Sequence, residues 1–186
     1  MFPVRRPAVM TPLIRNRTVS EVLSTTLPDD LEERVKTLLQ RACDRSLTIA
    51  TAESCTGGLL ASVFTDVEGC SRAFDSGFLT YTDEAKIRML GLPRQLLEEN
   101  NAVCRPVALA MAEGALDKSL ADITVSTTGF AGPAGEDDEP GLVHFACARR
   151  GRETRHREEH FGDIGRGPTR IACLRTALDM LEEMMD

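Results

Sequence analysis

The fold is decided by Thr51-Ala52-Glu53-Ser54-Cys55-Thr56-Gly57-Gly58, a stretch that lies between the apolar runs at 47–50 and 59–64. A β-rich segment that runs into small hydroxyl residues and two glycines, before an apolar helical pattern, predicts a strand, a tight turn and a helix. Unpaired N–H groups at a helix N-terminus attract anions, and glycines let a ligand approach the backbone closely. Ser54 is therefore a candidate nucleophile at this turn.

Composition limits the classes of protein to consider. The chain has 186 residues, which predicts one domain, and its net charge of −7 argues against general affinity for nucleic acid or an anionic membrane. Six scattered cysteines form no C-x-x-C pair, as is typical of reduced thiols in a cytosolic protein. We find no signal-peptide pattern and no apolar segment long enough to cross a bilayer, so a cytoplasmic location is expected.

The order of predicted elements indicates the fold class. Residues 1–28 lack a sustained period and are interpreted as an N-terminal arm, followed by a domain over 29–186. Strands are predicted at 47–53, 75–81, 123–128, 142–148 and 152–161. Helices are predicted to begin near residues 29, 55, 82, 93, 106 and 168. This alternation predicts an α/β protein with a mainly parallel sheet, covered on both faces, and a late antiparallel strand pair.

Ser54 needs a base to become a nucleophile, since a serine after a strand is most often only a helix cap. Lys86 follows a predicted strand end, where α/β sites gather, and burial would lower its pKa enough for it to act as a base. The alternative is a solvated lysine paired with Asp83 or Glu84. Tyr81, the only tyrosine, can relay a proton or orient a substrate; otherwise it is a half-buried strand aromatic.

Binding groups are predicted late in the chain. The glycine-rich loop 128–135 can cradle a phosphate or sugar through its backbone amides, or it is an ordinary connection. Arg166 and Arg170 flank the start of the last helix, where one or both can clamp a phosphate; the alternative is a solvated face.

Two groups of residues are less informative. The three histidines, His144, His156 and His160, lie on the late strands with no cysteine or serine partner apparent, and we interpret them as surface or edge-strand residues. Cys55 is a rival nucleophile to Ser54, although neighbouring residues in a turn point differently and only one can face a ligand.

Three motifs, Thr51–Gly58, Gly77–Lys86 and Thr128–Pro133, together resemble the C-terminal domain of the CinA family, whose stand-alone members are nicotinamide mononucleotide deamidases. The resemblance covers roughly residues 30–185. It implies a three-layer α/β/α sandwich that hydrolyses the carboxamide of nicotinamide mononucleotide to nicotinate mononucleotide and ammonia, in the recycling of NAD.

The resemblance also implies roles for matching positions. Ser54 is expected to be the nucleophile, with Tyr81 and Lys86 activating it, and the Cys55–Gly58 amides to hold the oxyanion. The expected substrate-binding residues are Cys55, Thr56, Gly57, Gly58, Thr128, Gly129, Ala131, Gly132 and Arg166 or Arg170. No cofactor or metal is expected. The expected partners are the mononucleotide and, because small α/β domains commonly pair, further copies of this chain.

Two segments depart from the family pattern. Cys104-Arg105 stands where Ser-Glu is more usual, and Gly162–Arg166 differs from the commoner Gly-Asp-Arg. These departures motivate an alternative hypothesis, a non-catalytic nucleotide-binding or regulatory module of the same fold. Hydrolysis of another small amide is a third hypothesis.

Overall fold

The computed structural model describes residues 27–132, 135 and 138–186. Nearly all of the predicted arm at 1–28, and part of the glycine-rich loop, lie outside these residues. The strands are β1 Ile49–Glu53, β2 Phe74–Leu79, β3 Ile123–Gly129, β4 Leu142–Arg149 and β5 Arg155–His160. The helices are α1 Asp29–Asp44, α2 Leu59–Thr65, α3 Asp83–Ala85, α4 Arg94–Glu99, α5 Arg105–Lys118 and α6 Arg166–Met185. A 3₁₀ turn spans Ser71–Ala73, and α3 continues as a π-helical turn over Lys86–Leu90.

The five strands form one sheet in the order β2-β1-β3-β4-β5. β1 pairs in parallel with both β2 and β3, whereas β3–β4 and β4–β5 pair in antiparallel fashion. The connection between β4 and β5 is too short for a crossover helix, so these strands form the antiparallel end. The predicted parallel sheet with a late antiparallel pair is confirmed.

Helices cover both faces of the sheet. The larger core packs α1, α2 and α6 against side chains such as Ile49, Ile123 and Val125. On the other face, α4, α5 and the π-helical turn pack around Ala52 and Met111. The three-layer α/β/α sandwich is therefore confirmed. No helix within the described ranges is long and apolar enough to span a membrane.

The connections place the carboxyl ends of β1, β2 and β3 at one edge of the sheet. α2 lies on one face and leads from β1 to β2, while α5 lies on the other face and leads to β3. The connections that follow the neighbouring strands β1 and β2 therefore run over opposite faces of the sheet, and such a topological switch point is where open α/β sheets bind ligands.

The segment that carries Lys86 is fixed by its ends and by close packing. The Thr82 hydroxyl accepts a hydrogen bond from the Ala85 N–H at 3.2 Å, and Gly91 ends the segment with a φ of 76°. Gly114 on α5 permits close approach of this segment, because a Cβ there would lie 2.3 Å from the Leu90 carbonyl oxygen. Such π-helical turns are frequent at functional sites.

The structure differs from the sequence prediction after Ser54. The helix begins at Leu59, four residues later than expected, because Gly57 and Gly58 adopt φ angles of 68° and 90°. Two successive tight turns fill the interval, closed by the Gly57 N–H to the Ser54 carbonyl and by the Leu59 N–H to the Thr56 carbonyl. Ser54 therefore lies in a turn, with α2 starting behind it.

Candidate active site

A cavity of about 290 Å³ opens at the carboxyl edge of the three parallel strands. It lies near the lower end of the range of about 300–1,000 Å³ that is typical of small-molecule sites. The lining residues come from the ends of all three strands and the segments just after them, the π-helical turn, the loop before α5 and the start of α6: Ser54, Cys55, Tyr81, Lys86, Ala102, Val103, Thr128, Gly129, Phe130, Ala131, Gly132 and Arg166.

Ser54 and Cys55 occupy different surroundings within the turn. Ser54 is 8% exposed, and its N–H donates to the Thr127 carbonyl at 3.0 Å, which ties the turn to β3. Cys55 also lines the cavity, but it packs in the core beside α6 with Cys173. A hydrogen bond with Cys173 lowers the pKa of the Cys55 thiol, against the effect of burial. Both side chains therefore remain candidates for the nucleophile, and Ser54 is the one that lies outside the apolar core.

Lys86 is buried at the base of the cavity, with only 1% of its side chain exposed. Its Nζ donates to the Tyr81 backbone carbonyl at 3.3 Å and lies 3.7 Å from an Asp83 carboxylate oxygen. Burial lowers the pKa of Lys86, and the attraction of Asp83 opposes that shift. Lys86 is therefore not solvated, although it does lie beside Asp83 as the alternative interpretation expected, and burial shifts its pKa in the direction that a base requires.

Tyr81 lies two residues beyond β2 and is 69% exposed at the mouth of the cavity. It is not the half-buried strand aromatic considered from the sequence. Its backbone carbonyl, rather than its phenol, contacts the Lys86 amine. The side chain is thus available to contact a molecule that enters the cavity.

Glu53 is a residue of the site region that sequence reasoning missed. Its carboxyl group is 1% exposed and accepts from the backbone N–H groups of Leu60 and Ala61 at 3.0 and 2.8 Å. The Thr51 and Thr56 hydroxyls also donate to it, at 3.2 and 2.7 Å. The α2 N-terminus is therefore occupied by a protein carboxyl group, which corrects the expectation that it faces a ligand. The sequence feature that could have pointed to this role of Glu53 is the presence of an acidic residue at the end of a buried strand.

Several residues expected to bind substrate lie behind the turn instead of lining the cavity. The Thr56 hydroxyl lies 2.9 Å from that of Thr127, and Gly58 lies beside Leu79. Arg170 donates from Nε to the Cys55 carbonyl at 3.0 Å, and its guanidinium packs against Gly57. Arg170 therefore braces the turn that carries Ser54.

Arg166 lines the cavity, whereas Arg170 does not. It is exposed at the start of α6, and its guanidinium packs so closely on Gly132 that a Cβ there would lie 2.6 Å from a guanidinium nitrogen. Thr128 also lines the cavity, and its hydroxyl donates to the Ala102 carbonyl at 2.7 Å. The structure thus distinguishes the two arginines, whose roles the sequence did not distinguish: Arg170 contacts the Ser54 turn, and Arg166 lines the cavity.

A larger cavity, of about 550 Å³, lies between α1 and the end of α2. Val35, Val63 and Val67 are among the residues that line it, and these include no serine, cysteine or histidine. Its size alone does not make it the active site, because the smaller cavity is the one that combines a buried lysine with a serine.

Comparison with known proteins places the chain in a family. The CinA C-terminal domain profile matches residues 29–185. The chain belongs to the CinA family. A CinA-like protein of Akkermansia muciniphila is 49% identical over 122 residues, 64% of this chain and 30% of that protein. A putative competence-damage inducible protein of Symbiobacterium thermophilum is 54% identical over 112 residues, 59% of this chain and 26% of that protein. The chain thus spans about a quarter to a third of these CinA relatives.

Solved structures agree with the CinA assignment. The competence/damage inducible protein CihA from Agrobacterium tumefaciens has a TM-score of 0.83 and 43% identity, and the match covers 86% of this chain and 98% of that one. A CinA superfamily protein from Escherichia coli has a TM-score of 0.78 and 34% identity, over 85% of this chain and 93% of that one.

Proposed function

We propose that this CinA-family chain is an amidase that hydrolyses the carboxamide of nicotinamide mononucleotide through an acyl-enzyme on Ser54. The observation that carries the proposal is the burial of Lys86 in the same cavity as Ser54. An ammonium group with a lowered pKa yields a neutral amine more readily, and a serine hydroxyl requires such a base.

The first half of the reaction transfers the acyl group to the enzyme. Neutral Lys86 takes the Ser54 proton while Ser54 Oγ attacks the carboxamide carbon, and the Tyr81 side chain at the mouth of the cavity contacts the substrate. Within the described residues, the backbone N–H of Cys55 donates to no backbone carbonyl, so it is available to the oxyanion. Collapse of the tetrahedral intermediate breaks the C–N bond, and the proton held by Lys86 passes to the leaving NH2 nitrogen, which departs as ammonia.

The second half restores the enzyme. Lys86, again neutral, takes a proton from water, and the hydroxide attacks the ester carbonyl of the acyl-serine. The C–O bond to Ser54 breaks, the serine oxygen regains the proton, and nicotinate mononucleotide leaves. One water is consumed and one ammonia is released for each turnover, and no oxidant or metal enters the balance.

The phosphate of the substrate is assigned to Arg166. This guanidinium is exposed at the rim, whereas Arg170 is committed to the Cys55 carbonyl. Arginine forms bidentate hydrogen bonds with phosphate, which gives orientation as well as affinity. The substrate would then span the cavity, with its carboxamide at Ser54 and its phosphate at α6.

The substrate assignment is tested with the wild-type protein. Ammonia release would be measured from nicotinamide mononucleotide, nicotinamide riboside and free nicotinamide at equal concentrations. We expect release from the mononucleotide, with nicotinate mononucleotide formed in equal amount, and much slower release from the compounds without phosphate. Equal rates for all three would refute the substrate, and no release from any carboxamide would refute amidase activity.

A non-catalytic nucleotide-binding module is the second candidate, and one observation favours it. Ala102 and Val103 line the cavity directly before Cys104 and Arg105, where the sequence departs from the family pattern. A cavity whose wall is altered at these positions could retain binding of the mononucleotide and lose the ability to hydrolyse it. Calorimetry that detects binding of the mononucleotide, together with no ammonia release, would support this candidate over the amidase.

A further inference from the structure

We propose that His144, His156 and Glu158 form a binding site for a divalent transition metal of the zinc class, separate from the cavity that holds Ser54. The sequence analysis interpreted the three histidines as surface or edge-strand residues. His156 and His160 do lie on the edge strand β5, whereas His144 lies on β4 and is buried. His144 is opposite Glu158 in the β4–β5 ladder, and His156 is two residues before Glu158 on the same strand. Alternation along β5 therefore directs both of its residues to the face that carries His144.

The distances between the donor atoms match those around a tetrahedral zinc ion. His144 Nδ1 lies 3.1 Å from His156 Nε2 and 3.4 Å from a Glu158 carboxylate oxygen. Two donors bound about 2.0–2.1 Å from zinc at the tetrahedral angle are about 3.3 Å apart. One ligand atom from each residue lies within 4.8 Å of the other two. Three donors can thus meet one ion with small side-chain adjustments.

The donor set selects the kind of metal. Two imidazoles with one carboxylate suit zinc and its neighbours in the transition series, whereas magnesium and calcium prefer oxygen ligands alone. The two imidazole rings are stacked, with their centroids 5.4 Å apart.

An outer layer of hydrogen bonds orients the carboxylate. The second oxygen of Glu158 lies 2.9 Å from His160 Nε2, and His160 Nδ1 lies 2.8 Å from a Glu139 carboxylate oxygen. Metal-binding carboxylates are commonly held in this way by partners that do not touch the ion. Glu158 therefore directs one oxygen to the histidine pair and has its other oxygen fixed.

The position of the site indicates what the metal would do. It joins β4 to β5 at the antiparallel edge of the sheet, and His144 is the ladder partner of Thr128, which lines the cavity. An ion there would stabilise the end of the sheet next to the cavity without entering it. The positive charge of Arg105 acts on His156, so this arginine opposes binding of a cation.

Zinc calorimetry on the untagged full chain tests the site, with Co²⁺ absorption as the spectroscopic probe. We expect one Zn²⁺ per chain, displacement of Co²⁺ by Zn²⁺, and no displacement by Mg²⁺. His156→Gln and Glu158→Gln, which change half-buried or exposed residues, should each weaken Zn²⁺ binding at least 10-fold. His160→Gln should weaken it less, and Arg105→Gln should strengthen it.

Cys104→Ser is the matched control, because Cys104 is the half-buried thiol nearest in sequence to α5 and Zn²⁺ also binds thiolates. Its Zn²⁺ affinity should equal that of the wild type. The proposal is overturned if wild-type protein binds no stoichiometric Zn²⁺. Binding that survives unchanged in both His156→Gln and Glu158→Gln, or that is lost in Cys104→Ser, would also overturn it.

Discussion

Lys86 is the residue whose environment differs most from that expected of its type. Its side chain is 1% exposed, and Asp83, the acid beside it, is 56% exposed. Folding therefore removes an ammonium group from water without a buried counter-charge. Such a group costs stability unless it has a role that requires it to be buried, as a catalytic base does.

Replacement of Lys86 by methionine should stabilise the fold while it abolishes amidase activity. We expect the free energy of unfolding at pH 7 to rise by about 1–3 kcal/mol, since an apolar side chain of similar shape replaces a buried charge. Urea denaturation with parallel ammonia assays would measure both effects. A less stable variant, or one with wild-type activity, would contradict the role of Lys86.

The same variant gives a pH dependence with a definite sign. The pKa of Lys86 is lower in the folded than in the unfolded protein, so between these two values the unfolded state binds more protons and wild-type stability rises with pH. The stability gained by Lys86→Met should therefore be largest at low pH and shrink as the pH rises towards the ordinary lysine pKa of about 10.4. A gain independent of pH would show that the charge of Lys86 is not its cause.

Arg166 and Arg170 should differ in how their loss affects kinetics. Arg166→Gln should raise KM for nicotinamide mononucleotide about 10–100-fold, the effect of one lost charged hydrogen bond, with little change in kcat. Arg170→Gln should lower kcat instead, because Arg170 braces the Cys55 carbonyl. Steady-state assays of both variants would distinguish them, and identical effects would count against this division.

At the scale of the elements, the N-terminus of α2 is stabilised by Glu53, whose carboxylate accepts hydrogen bonds from its first N–H groups. Glu53→Gln replaces one carboxylate oxygen by an NH2 group that cannot accept a hydrogen bond, so a buried N–H donor of α2 loses its partner. We expect a loss of about 2–4 kcal/mol in the free energy of unfolding by urea. Glu98→Gln, at an exposed position on α4, is the control and should change stability by less than about 0.5 kcal/mol. Equal effects would mean that Glu53 does not cap α2.

The sequence was most informative where local pattern determines structure. Strand periods and turn residues predicted the strand–turn–helix around Ser54, and the position of Lys86 after a strand end predicted its place near that turn. The sequence could not distinguish Arg166 from Arg170, because their roles depend on how α6 packs against the turn. The pairing of His144 with His156 depends on the β4–β5 register, which spacing alone does not set.

At the scale of the whole molecule, β2 is an edge strand that ends in apolar side chains. Leu79, the last residue of β2, is 50% exposed, and exposed apolar edges commonly mark interfaces. We expect a homodimer that buries this edge, with light scattering giving twice the chain mass of 20.3 kDa.

Leu79→Glu should dissociate that dimer, whereas Leu120→Glu should not. Leu120 is 86% exposed and lies before β3, at the opposite end of that strand from the cavity, which makes it a matched control. A monomeric wild-type protein, or dissociation by both substitutions, would count against an interface along β2.

The central claim is that Ser54, and not its neighbour Cys55, is the nucleophile. Ammonia release from nicotinamide mononucleotide by Ser54→Ala and Cys55→Ala, assayed beside wild type, tests it most directly. We predict that Ser54→Ala lowers kcat at least about 10³-fold, while Cys55→Ala stays within about 10-fold of wild type. Wild-type activity in Ser54→Ala, or the larger loss in Cys55→Ala, would contradict the account.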